Sequence, residues 1–248
     1  MANTKSKFNV GVIIQARMNS ARLPGKVLMD IAGKPMLWHV VERLKNAKKI
    51  DEIILAIPDT KNNDELEAFA KNHNIKYFRG SEEDVLSRYY KAAKNFTCNV
   101  IVRITSDCPL VDAALVDAFV KKHLASDADY TSNIIQRTYP KGIDVEVLNF
   151  EILEKSFKEA TIQKHREHVT LYVREHPEKF KRVNVKQEKN FSRLRWTVDE
   201  QEDLEFVREI YKRLYKKGSI FFMEDIMKVL EKEPKLLEIN KNIKRKKI

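Results

Sequence analysis

The 248-residue sequence has two cysteines, six glycines, two tryptophans and no apolar run of about 18 residues. Cys98 and Cys108 are too few for a disulfide framework or a zinc site, and they fit a reducing, cytoplasmic home. Without a long apolar run a membrane span is excluded. The amino-terminal stretch Phe8–Ile14 is short and is followed at once by Gln15 and Arg17. It reads as a first core strand, not a secretory signal. The G-x-x-x-x-G-K-[ST] of a P-loop and the G-x-G-x-x-G dinucleotide fingerprint are both missing. No serine sits in a nucleophile elbow, so Ser20 is no acyl nucleophile. His165 and His168 have helical spacing but neither an H-E-x-x-H pattern nor a cysteine partner, which argues against zinc.

What is present is a soluble globular composition, 43% hydrophobic and 33% charged, with a net charge of +11. Five of the cations, Lys241, Lys244, Arg245, Lys246 and Lys247, crowd into the last eight residues. That tail has no aromatic residue on which a base could stack, so a solvated, flexible terminus is expected over a nucleic-acid partner. The remaining excess suits a polyanionic small molecule, such as a triphosphate, as well as a polymer.

Periodicity alternates along the first half. Strands are predicted at Val10–Ile14, Ile53–Ile57, Lys76–Phe78 and Val100–Ile104. Helices are predicted at Pro35–Leu44, Asp64–Lys71, from a capping box at Ser81–Asp84 through about Phe96, and at Val111–Leu124. The second half gives strands at Tyr130–Ile135 and Asp144–Leu148 and a short strand-like run at Leu194–Val198. Its helices fall at Glu151–Ala160, His165–Glu175, Glu202–Lys216 and Met223–Glu231. The alternation predicts an α/β fold, a Rossmann-like, mostly parallel sheet with helices on both faces. No linker rich in Pro, Gly or Ser appears, so residues 1–240 read as one domain and 241–248 as a basic tail.

In an open parallel sheet, ligands bind outside the carboxyl ends of the strands. The loop leaving the first strand, Gln15-Ala16-Arg17-Met18-Asn19-Ser20-Ala21-Arg22-Leu23-Pro24-Gly25-Lys26, is therefore the candidate site. Arg17 and Arg22 can grip phosphate oxygens in bidentate fashion, and Lys26 can act as a point charge. Spacing alone leaves a solvated basic loop equally open. Asp107 follows the strand Val100–Ile104, and Asp199 precedes a helix, where an N-cap is the plain alternative. Asp144 and Glu146 alternate with apolar residues, so an exposed sheet face would hold them. Asp127-Ala128-Asp129 forms a D-x-D after a helix, at the opposite edge from the first loop.

The opening Ala16-Arg17-x-x-Ser20-x-Arg22-Leu23-Pro24-Gly25-Lys26, followed by Ile31-x-Gly33-Lys34-Pro35, resembles the sugar nucleotidyltransferases. More specifically it resembles the cytidylyltransferases that activate acidic sugars, in the branch of spore-coat-polysaccharide-type proteins. The resemblance continues through Arg79-Gly80-Ser81-Glu82-Glu83-Asp84-Val85-Leu86-Ser87-Arg88-Tyr89, Arg103-Ile104-Thr105-Ser106-Asp107-Cys108-Pro109-Leu110 and Pro140-Lys141-Gly142-Ile143-Asp144-Val145-Glu146. It ends in Arg166-Glu167-His168-Val169-Thr170, Arg195-Trp196-Thr197-Val198-Asp199-Glu200 with Asp203, and Asn240. It thus covers nearly the whole chain in order. It implies a nucleotide-diphospho-sugar transferase type of fold and transfer of CMP from CTP to the hydroxyl of an acidic sugar, with release of pyrophosphate. The expected catalytic residues are Arg17, Arg22, Lys26 and Asp107. The expected nucleotide-binding residues are Gln15, Ala16, Arg17, Ser20, Arg22, Lys26, Arg79, Ser81 and Asp84. The sugar would meet Asp144, Glu146, Arg166 and His168, and Asp107 and Asp199 would hold Mg²⁺. The sequence does not itself give the oligomeric state; relatives of this kind commonly pair as homodimers. The readings that compete are a glycosyltransferase using Asp127 and Asp129, and a basic nucleic-acid-binding protein.

Overall fold

The computed structural model describes residues 8–243. The chain enters through β1 (Val10–Gln15), then an irregular loop, one 3-10 turn (Lys26–Leu28) and a small ribbon of β2 (Asp30–Ile31) and β3 (Lys34–Pro35). It continues as α1 (Met36–Leu44), β4 (Glu52–Pro58), α2 (Asp64–Asn72), β5 (Lys76–Gly80), α3 (Val85–Asn95), β6 (Val100–Thr105) and α4 (Ala113–Leu124). The second half adds β7 (Tyr130–Ser132), β8 (Glu146–Asn149), α5 (Phe150–Glu159), α6 (Gln163–Glu167), α7 (Leu171–Glu175), β9 (Arg182–Asn184), α8 (Gln201–Leu214) and α9 (Met223–Lys232).

The main sheet runs in the order β5-β4-β1-β6-β8-β7-β9. β5, β4, β1 and β6 are parallel to one another. β8 is antiparallel to β6 and β7, and β9 is parallel to β7. The strands divide their side chains between two cores, as a period of two requires. Val10, Val12 and Ile14 pack on one face with apolar residues of α1, α2, α4, α8 and α9. Ile13, Ile54 and Ile101 pack on the other face with those of α3 and α5. The stripe Met36, Leu37, Val40, Val41 and Leu44 is buried as its helical spacing predicts.

The sheet order fixes where a ligand can go. From β1 the chain lays β4 on one side and later returns to lay β6 on the other. The two carboxyl ends, paired at Gln15 and Thr105, flank a crevice at the topological switch point.

Several expected elements differ. β7 stops at Ser132, and β8 starts at Glu146, so Asp144 lies outside it. Glu146 is 2% exposed, so the expected exposed sheet face is in fact interior. The helix read over His165–Glu175 is two short helices, because Val169 takes φ 37° and breaks the ladder. Leu194–Val198 forms no strand and makes only a bridge between Lys141 and Arg195. Asp84, not Ser81, is the N-cap of α3: its carboxylate accepts from Ser87 N, and Ser81 Oγ accepts from Asp84 N. Of the basic tail, residues 244–248 lie outside the described residues, and Lys241 pairs with Glu238.

Candidate active site

Two loops and one returning segment build the site. The loop after β1 folds on itself, with Gly25 N donating to Met18 O at 2.9 Å. Gly25 takes φ 71°, a conformation that favours glycine. After this turn Lys26 is buried, at 8% exposed. The segment before α8 is pinned beside the loop after β6, because Val198 N donates to Asp107 O at 2.8 Å. Gly142 allows the same segment to approach: a Cβ there would lie 2.4 Å from Thr197 N. Asp107 and Asp199, far apart in the sequence, therefore face each other.

Lys26 stands between them. Its Nζ donates to Val198 O at 2.6 Å and to Asp199 Oδ1 at 3.0 Å, and it lies 3.4 Å from Asp107 Oδ2. Asp199 also binds Arg22 at 3.0 Å and Arg195 at 2.9 Å, with Lys141 at 3.8 Å. Arg195 is held from behind by Asp203, whose fully buried carboxylate also accepts from Asp199 N, Glu200 N and Asn240. Glu200, with Asp203 three residues on, caps α8. Asp199 is thus free of the capping role. Burial alone would raise the Asp199 carboxyl, but Lys26, Lys141 and Arg22 outweigh it and hold Asp199 below the usual carboxylate range. Burial likewise pulls Lys26 down, and Asp107 and Asp199 more than reverse it.

Around this network lie two adjoining cavities. The first, of about 250 Å³, is lined by Gln15, Ala16, Arg17, Ser20, Arg22 and Lys26 from the first loop, with Arg88, Ser106 and Glu167. The second, of about 260 Å³, is lined by Arg103, Arg137, Lys141, Asp144, Glu146 and Arg174. Thr105, Asp107, His168 and Asp199 line both. In the second cavity Glu146 is committed to structure. It pairs with Arg103 and accepts from Tyr130 and Thr170 hydroxyls at 2.5 Å. Arg103 in turn donates to Gln15 Oε1 at 3.0 Å, which links the second cavity to the first. Asp144 holds Arg137. His168 faces both cavities, and burial lowers its pKa.

The structure gathers Gln15, Ala16, Arg17, Ser20, Arg22, Lys26, Asp107 and Asp199 at one cavity, and Asp144, Glu146 and His168 at the next. Four expected site residues line neither. Arg79 turns away from the crevice to Asp64 and Glu67 on α2, at 2.7 and 2.5 Å. Ser81 and Asp84 are used in capping α3. Arg166 closes on Asp84, with Nε at 3.0 Å, and does not reach the sugar side. Asp127 and Asp129 are both taken by Lys181, by its ammonium at 2.5 Å and its amide at 2.8 Å. Residues that sequence reasoning misses are Arg88 in the first cavity and Arg103, Arg137, Lys141 and Arg174 in the second. A charge at Arg103 within the apolar run Val100–Ile104 is the available signal.

Comparison with known proteins places this geometry. The cytidylyltransferase family model matches residues 11–243. Over 229 residues the chain is 34% identical to the spore coat polysaccharide biosynthesis protein SpsF of Bacillus subtilis, covering 90% of this chain and 94% of that one. Over 110 residues it is 34% identical to 3-deoxy-manno-octulosonate cytidylyltransferase of Geobacter sulfurreducens, covering 44% of this chain and 43% of the other. The solved structure of a cytidylyltransferase from Leptospira borgpetersenii matches with a TM-score of 0.89 at 33% identity, over 97% of this chain and 100% of that one.

Proposed function

The chain belongs to the cytidylyltransferase family and is a nucleotidyltransferase, and from that premise we propose that it transfers CMP from CTP to the hydroxyl of an acidic sugar. The observation that carries this reading is the meeting of two polar cavities across Asp107 and Asp199. One cavity takes the nucleotide and the other the acceptor. The reacting hydroxyl and the α-phosphorus then come together at the shared wall.

The acidity of the acceptor is argued from charge. Arg103 and Arg137 are matched by Glu146 and Asp144, but the Arg174 side chain has no hydrogen-bond or ion-pair partner among the described residues. Lys141 reaches Asp199 only at 3.8 Å. A carboxylate on the acceptor would satisfy both cations. One relative is named for 3-deoxy-manno-octulosonate, the anion of a sugar acid, and SpsF is named for spore coat polysaccharide biosynthesis.

The acceptor hydroxyl attacks the α-phosphorus in line, the α–β phosphoanhydride bond breaks, and pyrophosphate departs while the hydroxyl proton is released to water. The protein contributes positioning and charge stabilisation more than covalent chemistry. Arg17, Arg22 and Lys26 hold the triphosphate and offset the charge that builds on the leaving group. Asp107 and Asp199 suit Mg²⁺: they offer oxygen donors only, and one Oδ of each already gathers on the same cationic nitrogen of Lys26. Bound there, the metal would neutralise phosphate charge and lessen repulsion between nucleotide and acceptor.

The test is pyrophosphate release with each of the four nucleoside triphosphates and Mg²⁺, over a panel of keto-sugar acids and their neutral analogues. Turnover confined to CTP and an acidic acceptor is expected. Equal turnover with neutral sugars would remove the acidic acceptor, and no preference for CTP would remove the nucleotide assignment.

A further inference from the structure

Among the described residues four lysines and arginines are buried: Lys26, Arg43, Arg88 and Arg195, each 8% exposed or less as a whole residue. Lys26 and Arg195 are matched by Asp107, Asp199 and Asp203. Arg43 directs Nε and Nη2 to the carbonyls of Val111 and Phe221, each at 2.7 Å, and stacks on the Phe221 ring. Arg88 is different. It is 2% exposed, Nη1 reaches one carbonyl, that of Ser81, and Nε is buried without a partner. Among the described residues no carboxylate lies within ion-pair distance of it.

A guanidinium buried with so little compensation is costly to the fold unless something supplies the counter-charge. Arg88 projects from the first turn of α3 into the wall of the first cavity. Its stem lies against Gly80, where a Cβ would come within 3.4 Å of Arg88 Cγ. Arg17 lines the same cavity and likewise has no hydrogen-bond or ion-pair partner among the described residues. Burial depresses the Arg88 pKa and the charge of Arg17 deepens that, while Tyr89 and the carboxylates of Glu82 and Asp59, which lie beyond ion-pair distance, oppose it. The cavity therefore has two unlike sides: Arg22 and Lys26 are already engaged with acidic residues, whereas Arg17 and Arg88 have no ion-pair partner among the described residues.

We infer that Arg88 is a nucleotide-binding residue which, with Arg17, forms a cationic wall whose missing counter-ion is the phosphate chain of the nucleotide. A cytosine ring and a ribose are neutral and leave that wall unbalanced, so the phosphates are the part it reads. This rests on the assignment of the first cavity to the nucleotide. It also distinguishes the cations by their state before the nucleotide arrives: Arg22 and Lys26 already have carboxylate partners, whereas Arg17 and Arg88 have none among the described residues.

The experiment is calorimetric titration of CTP, CMP and cytidine into the wild type, Arg88→Gln and Arg88→Lys, together with the unfolding midpoint of each protein without ligand. Gln can still donate to Ser81 O but carries no charge. For Arg88→Gln the expected result is an unchanged or higher midpoint and CTP affinity weakened at least about tenfold, with cytidine affinity unchanged. Arg88→Lys should keep most of the CTP affinity. CTP affinity in Arg88→Gln equal to that of the wild type would overturn the inference, as would an equal loss for cytidine and CTP. A lowered midpoint with CTP affinity intact in both variants would reduce Arg88 to a structural residue. A wild type that binds no CTP would instead remove the nucleotide assignment itself, and this inference with it.

Discussion

Lys26→Met is the perturbation that probes the centre of the site, because it keeps the stem and deletes the charge. Its loss strips a partner from Val198 O at 2.6 Å, which costs about 1 kcal/mol. The ionic cost falls well below the roughly 3–5 kcal/mol of an orphaned buried pair, for two reasons. Asp199 keeps Arg22 at 3.0 Å and Arg195 at 2.9 Å. The Asp107 side chain is 25% exposed and can turn to water. The whole destabilisation is about 2–3 kcal/mol, or roughly 4–12 °C in unfolding midpoint for a chain of this length. Turnover should fall much further, about 10²–10³-fold, as when one charge-stabilising donor is removed from a transition state. The assay is pyrophosphate release under saturating CTP and acceptor, with scanning calorimetry on the same samples. Adding Asp107→Asn to Lys26→Met relieves the repulsion between the carboxylates, so it should recover part of the midpoint and none of the turnover. If Lys26→Met loses its midpoint but turns over within about threefold of wild type, the lysine only joins two segments and the argument from charge fails.

Arg79→Ala should leave the apparent CTP affinity unchanged and cost less than about 1 kcal/mol, because its partners Asp64 and Glu67 lie on α2 away from the cavity; a large rise in KM for CTP would return Arg79 to the site. Gly142→Ala should destabilise by more than about 3 kcal/mol in urea titrations. There φ is 112° and a Cβ would lie 2.4 Å from Thr197 N, so a wild-type midpoint would show that the two segments are not so close. His39 and His123 are each 2% exposed, and burial lowers both pKa values. Below about pH 6.5 the unfolded chain takes up protons that the folded chain refuses, so stability falls with acid by up to about 1.4 kcal/mol per pH unit for each histidine, until the folded values are reached. Urea midpoints that stay flat from about pH 7 to about pH 5.5 would contradict that burial.

The sheet is readable in the sequence because its parallel strands are continuous apolar runs and its helices carry one apolar stripe. Val10–Gln15, Glu52–Pro58 and Val100–Thr105 each fall within a residue or so of the predicted bounds. The second half is less readable because its geometry comes from side chains that pattern cannot weigh. Glu146 looks in sequence like the polar face of a strand, yet Arg103, Tyr130 and Thr170 satisfy it inside the protein. Val169 breaks a helix that its neighbours favour, and a β-branched residue at φ 37° is held there only by its surroundings.

The site divides along the same line. Asp107 and Lys26 are readable because each sits just past the carboxyl end of a parallel strand or on the loop that leaves one, and topology alone sends such loops to the crevice. Arg79 and Arg88 show what topology cannot decide. They stand close together in one motif, and both carry the same group. Arg79 meets Asp64 and Glu67 and is neutralised, while Arg88 meets one carbonyl and is left charged against a cavity. Whether an arginine binds ligand depends less on its own position than on whether the fold has already supplied its counter-ion. That is a property of the partners. Asp64 lies 15 residues from Arg79 in the chain, and across the site the separation grows to the 173 residues between Lys26 and Asp199. A local motif therefore locates the cations of such a site, and the folded arrangement of carboxylates decides which of them remain for the substrate.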